Sequence, residues 1–437
     1  MDFELIFAFL FIIFLTLFLY IKRKKLFEQK VIPNVLHIMM YRTKLGLQFM
    51  DKTAKKFPKT LNFLSYISIA TGFFFMAVIS GSLFYSLFIL FKTPEAVAGV
   101  GLVLPVPIKG AFYVPFFYWI ISIFILAIVH EASHGIFARL NGMKIKSSGF
   151  AFMNLGIGAL GLAMVIFTIQ KTVSSGFALT TSTIVSLVGI IFIIIYFFKK
   201  SFTFPVVPAA FVEPDEVQLK KASVHKQLSV YAAGPFSNIV LGFLILALFI
   251  FAIVPFASNI YMEDGINIES VVQDYPADLA GLQPGDKIIA IDSISTLTSQ
   301  NLSDALNDKN PGETILIETE SGKHNLTLTE NPTNISKSYM GITLTQSTKI
   351  NPDVEHKYGK VTISVFLWII GLLYWLYILN IGIGLFNLLP LGPIDGGRMI
   401  NAVLQKYYPK KAEKYFRSIS LFFLLLLLAN LILPYFI

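Results

Sequence analysis

The sequence predicts a polytopic α-helical membrane protein of about eight spans with one small, β-rich extracytoplasmic domain. Three observations carry this. Of 437 residues, 55% are hydrophobic and only 14% charged, against about 25% charged in an ordinary soluble domain. Apolar, nearly uncharged runs of the length a bilayer requires, about 20 residues, recur along the chain. One stretch, Tyr261 to Gln346, breaks the pattern with short β-type segments and an excess of acids.

The apolar runs are Phe3–Ile21, Phe63–Phe91, Ala111–Val129, Gly149–Ile169, Phe177–Phe198, Leu228–Phe256, Val361–Leu389 and Ile419–Ile437. The first reads as an uncleaved anchor, because Lys22, Arg23, Lys24 and Lys25 follow the apolar run, whereas a signal peptide carries its basic residues in front. Lys22–Lys59 holds eleven Lys/Arg and two acids, so by the positive-inside rule it is cytoplasmic. Alternation then places Arg139–Lys146, Lys199–Lys226 and Lys406–Arg417 inside and Ala257–Lys360 outside. The net charge of +9 and pI near 9.3 are accounted for by this inside charge, and no nucleic-acid partner is expected. With no cysteine, disulfides, thiolate nucleophiles and Cys-ligated metals are excluded.

Four regions follow: 1–62, an N-terminal span with its basic cytoplasmic loop; 63–256, a membrane domain; 257–348, the extracytoplasmic β-rich domain; and 349–437, a second membrane portion with the C-terminal span. In the β-rich domain, Ile266–Val272, Lys287–Ile291, Thr314–Glu318 and Asn325–Thr329 are separated by turn signals such as Gln283-Pro284-Gly285-Asp286.

Ionisable groups within a membrane are costly and mark function. The run from Ala111 ends in His130-Glu131-Ala132-Ser133-His134. Histidines at i and i+4 share one helix face, so both imidazoles can reach one zinc ion, with Glu131 beside them to take a proton from water. A catalytic zinc takes three protein ligands. His37, His225, His324 and His356 fall in loops at other depths. Asp395, in Asn387-Leu388-Leu389-Pro390-Leu391-Gly392-Pro393-Ile394-Asp395-Gly396-Gly397, falls at a depth comparable to the histidines. Its Pro/Gly-broken backbone belongs where a membrane segment lines water or is buried in protein. Tyr231-Ala232-Ala233-Gly234-Pro235-Phe236-Ser237-Asn238 has small residues for close helix packing. Asn238 can hold a substrate carbonyl or simply cap a packing face, and Asn387 has the same two readings. Ala210–Glu216 reads as a strand at the membrane surface or as solvated loop.

Taken together, in this order, these segments resemble the site-2 protease family of intramembrane zinc metalloproteases over about Ala111–Gly397. The resemblance implies zinc held by His130, His134 and Asp395, Glu131 as catalytic base, and substrate- or oxyanion-contacting roles for Asn238 and Asn387. It implies hydrolysis of peptide bonds within or near transmembrane helices of single-span substrates, in a multi-pass cell-membrane protein whose active site lies toward the cytoplasm. Tyr275–Asp292 resembles a PDZ domain of the protease-associated kind, which implies a C-terminal peptide as a partner at a sheet edge. The chain departs from a compact member of the family in the apolar runs between Asn154 and Phe204 and in Met1–Lys59. Two other classes remain open from the residues: a metal-binding transporter, although no internal repeat of the transporter kind is visible, and a membrane scaffold that uses the PDZ-like domain alone.

Overall fold

A computed structural model of the chain describes residues 3–32, 35–92, 101–105, 111–162, 164–165, 168, 179–198, 203–332 and 334–433. In chain order its main elements are α1 (Phe3–Lys22), β1 (Leu26–Ile32), β2 (Leu36–Thr43), α2 (Leu47–Lys56), α3 (Pro58–Lys92), α4 (Phe116–Leu140), β3 (Ile145–Gly156), α5 (Leu179–Phe198), β4 (Thr203–Pro214) and α6 (Val224–Leu248). Then follow β5 (Tyr261–Val271), β6 (Lys287–Ile291), α7 (Ser299–Asn307), β7 (Thr314–Thr319), β8 (Lys323–Thr327) and β9 (Ile342–Ile350), and finally α8 (Lys360–Phe386), α9 (Asp395–Tyr407) and α10 (Ala412–Ile432).

The chain divides into two units. One comprises Met1–Leu246 with Ile370–Ile437, the other Ala247–Ile369. Among the described residues, five helices are long and apolar enough to cross a membrane: Pro58–Lys92, Phe116–Leu140, Val224–Ala257, Lys360–Phe386 and Ala412–Ile432. The α1 and α5 segments are apolar helices of 20 residues each. Exposed Phe74, Phe84, Phe243, Leu244, Phe422 and Leu425 line the outer faces, as expected where lipid rather than water is the neighbour.

The expectation of about eight helical spans needs correction at Gly149–Ile169. Its first part lies in strand β3, which pairs antiparallel with β2 (Tyr41 opposite Phe150) and with β4 (Ser148 opposite Val212). Hydropathy alone does not separate a buried strand from a helix. Here the close approach of the neighbouring backbone decides, because a Cβ at Gly149 would collide with the Tyr41 carbonyl. Residues 169–178 and 434–437, at the edges of expected spans, lie outside the described residues. The resulting four-stranded sheet runs β1-β2-β3-β4, and part of the basic Lys22–Lys59 segment forms its first hairpin. The β4 strand is one edge of the sheet, β1 being the other, and it includes Ala210–Pro214.

In the first unit α4, α6, α9 and the turn before α9 share a core with Phe137, Ala138, Val230, Ala232, Leu388 and Met399 buried. Ala232 and Ala233 let α6 approach its neighbours closely, as small residues do in membrane helix pairs. In the second unit the sheet runs β8-β7-β6-β5-β9, with Ile294–Ser295 pairing β6 as a sixth strand. Its inner face buries Ile266, Ile268, Ile288, Ile291, Ile315 and Ile317. The alternation of Ile266 with Ile268 along β5 and of Ile315 with Ile317 along β7 is what a half-buried strand requires.

Candidate metal centre

Helix α4 carries His130 and His134 one turn apart, and both rings are buried, 8% and 9% exposed. Their ring centroids stand 4.7 Å apart. Asp395 reaches them from the first turn of α9, where the helix dipole favours a carboxylate. The approach depends on Gly396, because a Cβ there would meet the Leu388 and Leu389 carbonyls. With that space free, the Gly396 N–H donates to the Asn387 carbonyl at 2.7 Å. This folds the Asn387–Ile394 turn under the helix and aims Asp395, 7% exposed, at the histidines.

The three side chains converge. His130 Nε2 lies 3.1 Å from Asp395 Oδ2 and 3.1 Å from His134 Nε2, and His134 Nε2 lies 3.4 Å from the same carboxylate oxygen. Among the described residues this is the one group of three His, Cys, Asp or Glu side chains that could hold a metal ion. Four tetrahedral ligands at about 2.0–2.1 Å from zinc stand about 3.3–3.4 Å from one another, so the donor spacings suit zinc.

The hydrogen bonds around the donors point the same way. His134 Nδ1 donates to the Val230 carbonyl at 2.6 Å. A neutral ring with its proton on Nδ1 has a bare Nε2, and that lone pair faces a carboxylate and a second imidazole, a set of acceptors that a cation unites. Space is also provided. A Cβ at Gly234 would lie 2.6 Å from His130 Nε2 and closer still to His134 Nε2, so this glycine leaves the room above the two nitrogens.

Glu131 follows His130 on α4 and is held by a strand. Its Oε2 accepts the Val212 backbone N–H at 2.9 Å, which ties the carboxylate to edge strand β4. Asn238, fully buried, places its amide 3.2 Å from His130 Nδ1. Asn387 joins the assembly through its backbone carbonyl. The remaining histidines sit elsewhere: His37 pairs with Glu28, His225 packs against Tyr66, His324 donates to the Ala280 carbonyl, and His356 lies in the short helix Pro352–Tyr358.

Three contributors escape sequence reasoning: the Val212 N–H, the Val230 carbonyl and the missing side chain of Gly234. The first two are backbone groups with no compositional signature. The third had a signal, a Gly-Pro pair inside an apolar helix, which reads equally well as a packing feature.

The model of peptidase family M50 matches residues 118–427. Curated relatives named "Putative zinc metalloprotease" include one from Streptococcus pyogenes serotype M3, 25% identical over 47% of this chain and 58% of the relative. Another, from Lactococcus lactis subsp. lactis, is 26% identical over 49% of this chain and 58% of the relative. The matched region thus spans little more than half the length of these relatives. Among solved structures, the PDZ domain of an SdrC-like protein from Listeria monocytogenes is 29% identical over 22% of this chain and 95% of that one, with a TM-score of 0.18. The second domain of a Listeria protein is 32% identical over 22% of this chain and 91% of that one, with a TM-score of 0.16.

Proposed function

The chain belongs to peptidase family M50, and from that premise we propose that it is a zinc metalloprotease that hydrolyses peptide bonds within or near transmembrane helices of single-span membrane proteins. The observation that carries the reading is the convergence of His130, His134 and Asp395 on one point with Glu131 adjacent in sequence.

In this reading His130, His134 and Asp395 hold the metal. Zinc, when bound, supplies Lewis acidity that polarises a carbonyl and acidifies water. Glu131 takes a proton from the attacking water and returns it to the leaving amine, a role worth about 10²–10⁴-fold. The Val212 N–H holds one oxygen of that carboxylate, so its position is set by β4 rather than by solvent. A helical substrate hides its amides in i→i−4 bonds and must open locally. Gly, Pro or Asn near the cut therefore favours cleavage.

The active site is proposed to lie toward the cytoplasmic side of the cell membrane, because the flanking basic segments obey the positive-inside rule. The PDZ-like domain is proposed to lie on the opposite side and to bind a C-terminal peptide by strand addition. The bilayer itself is the second partner, against the exposed apolar helix faces.

The test compares purified wild type with Glu131→Gln. Equal zinc content with turnover lost only in the variant is expected. Zinc loss in the variant would overturn the assigned roles, and undiminished turnover would remove Glu131 from the chemistry.

A further inference from the structure

Asn238 is fully buried on α6, and its amide lies 3.2 Å from His130 Nδ1. Its Oδ1 has no hydrogen-bond partner among the described residues. The nitrogen and oxygen ends of an amide exchange places by a half-turn, and the correct one is set by its partners. A neutral imidazole carries one proton, so two arrangements exist for this pair. With Nδ2 toward His130, the ring's Nδ1 is the acceptor and its proton sits on Nε2, where it donates to Asp395 and cannot ligate. With Oδ1 toward His130, Nδ1–H donates to the amide oxygen, and Nε2 is bare toward Asp395 and His134. Only the second is compatible with His130 as a ligand.

We propose that Asn238 is a positioning residue that selects the metal-binding tautomer of His130, as the Val230 carbonyl does for His134. The two ligands are then oriented by one helix, α6, through one side chain and one main-chain carbonyl. Asn238 thereby acts on the metal through His130 rather than on substrate. The inference rests on the zinc reading above.

The experiment measures zinc affinity by chelator competition in detergent-solubilised full-length wild type, Asn238→Leu and Asn238→Asp, with visible absorption of the cobalt-substituted forms as a second readout. A carboxylate accepts from a ligand imidazole as well as an amide oxygen does. Asn238→Asp is therefore expected to stay within about threefold of wild type, while the apolar isostere loses about 10–100-fold. The cobalt spectrum of Asn238→Leu should change shape, and that of Asn238→Asp should retain four-coordinate intensity. Wild-type affinity in the leucine variant, or loss in the aspartate variant equal to that in the leucine variant, would overturn the proposal. Were Asn238→Leu not to fold, the aspartate variant would decide: retained affinity supports the proposal, and a tenfold or greater loss refutes it. If wild type itself binds no zinc, the zinc reading fails first, and this is distinguishable because every arm is then silent.

Discussion

His130 and Asp395 stand 265 positions apart in the chain and meet at 3.1 Å between Nε2 and Oδ2. The contact joins the α4 motif to the first turn of α9, so the centre exists only when both ends of the membrane unit are in place. Asp395→Asn keeps the volume and removes the charge. Its zinc affinity is expected to fall by more than the roughly 10–100-fold that groups behind the ligands are worth, as measured by chelator competition. Helical content by circular dichroism is expected to hold.

Gly234 provides the second outcome. Its substitution by Ala adds a methyl group between two rings that are pinned from behind by Val230 and Asn238. The rings cannot retreat without breaking those bonds. Gly234→Ala is expected to lower zinc affinity by at least about tenfold, whereas Gly81→Ala on α3 is expected to leave zinc content intact, since a Cβ at Gly81 meets nothing within 4 Å.

Val212→Pro tests the strand contact to Glu131. Proline lacks the N–H that donates at 2.9 Å, and β4 already accommodates Pro208 and Pro214. A hydrogen bond to a charged group is worth about 1.5–3 kcal/mol. The variant's kcat is therefore expected to fall by about 10- to 100-fold with zinc content unchanged.

The β-domain has a pH dependence of definite sign. Hydrogen bonds from Lys349 and Lys287, at 2.5 and 2.9 Å, hold the Asp264 carboxyl below its ordinary range. The Leu316 N–H and the Lys309 ammonium, both at 2.8 Å, do the same for Asp292. When the native value is below the unfolded one, the stabilisation is present above the unfolded value and disappears as pH falls through the native one. Hydrogen exchange in the full chain should therefore show protection of Lys287–Ile291 and Thr314–Thr319 declining below about pH 4. Because these pairs are partly solvated, the effect should shrink in high salt, and Asp292→Asn should flatten it further.

Much of this was readable beforehand because it is written in side chains. The spacing of His130 and His134 puts two imidazoles on one helical face whatever the tertiary fold. Asp395 was reachable through topology, because charge bias predicts for it a depth like that of the histidines. The Ile145–Gly156 strand was not readable as such. Its apolar content matches that of a span, and what selects a strand is pairing with β2 and β4, segments distant in sequence. The side chain of Asn387 likewise gives no sign that its backbone carbonyl accepts from Gly396. Val212 and Val230 contribute main-chain groups that any residue but proline would supply in the case of the N–H, and that any residue would supply in the case of the carbonyl.

The most direct test is cleavage itself. The purified full chain would be incubated in detergent with a panel of single-span helical substrates, alongside Glu131→Gln and chelator-treated wild type, and the products mapped by mass spectrometry. The expected result is a cut within or beside the apolar segment, made by untreated wild type and restored to the chelated protein by zinc. Cleavage that persists in Glu131→Gln or in chelator, or a zinc-loaded wild type that cuts none of the panel, would contradict the account.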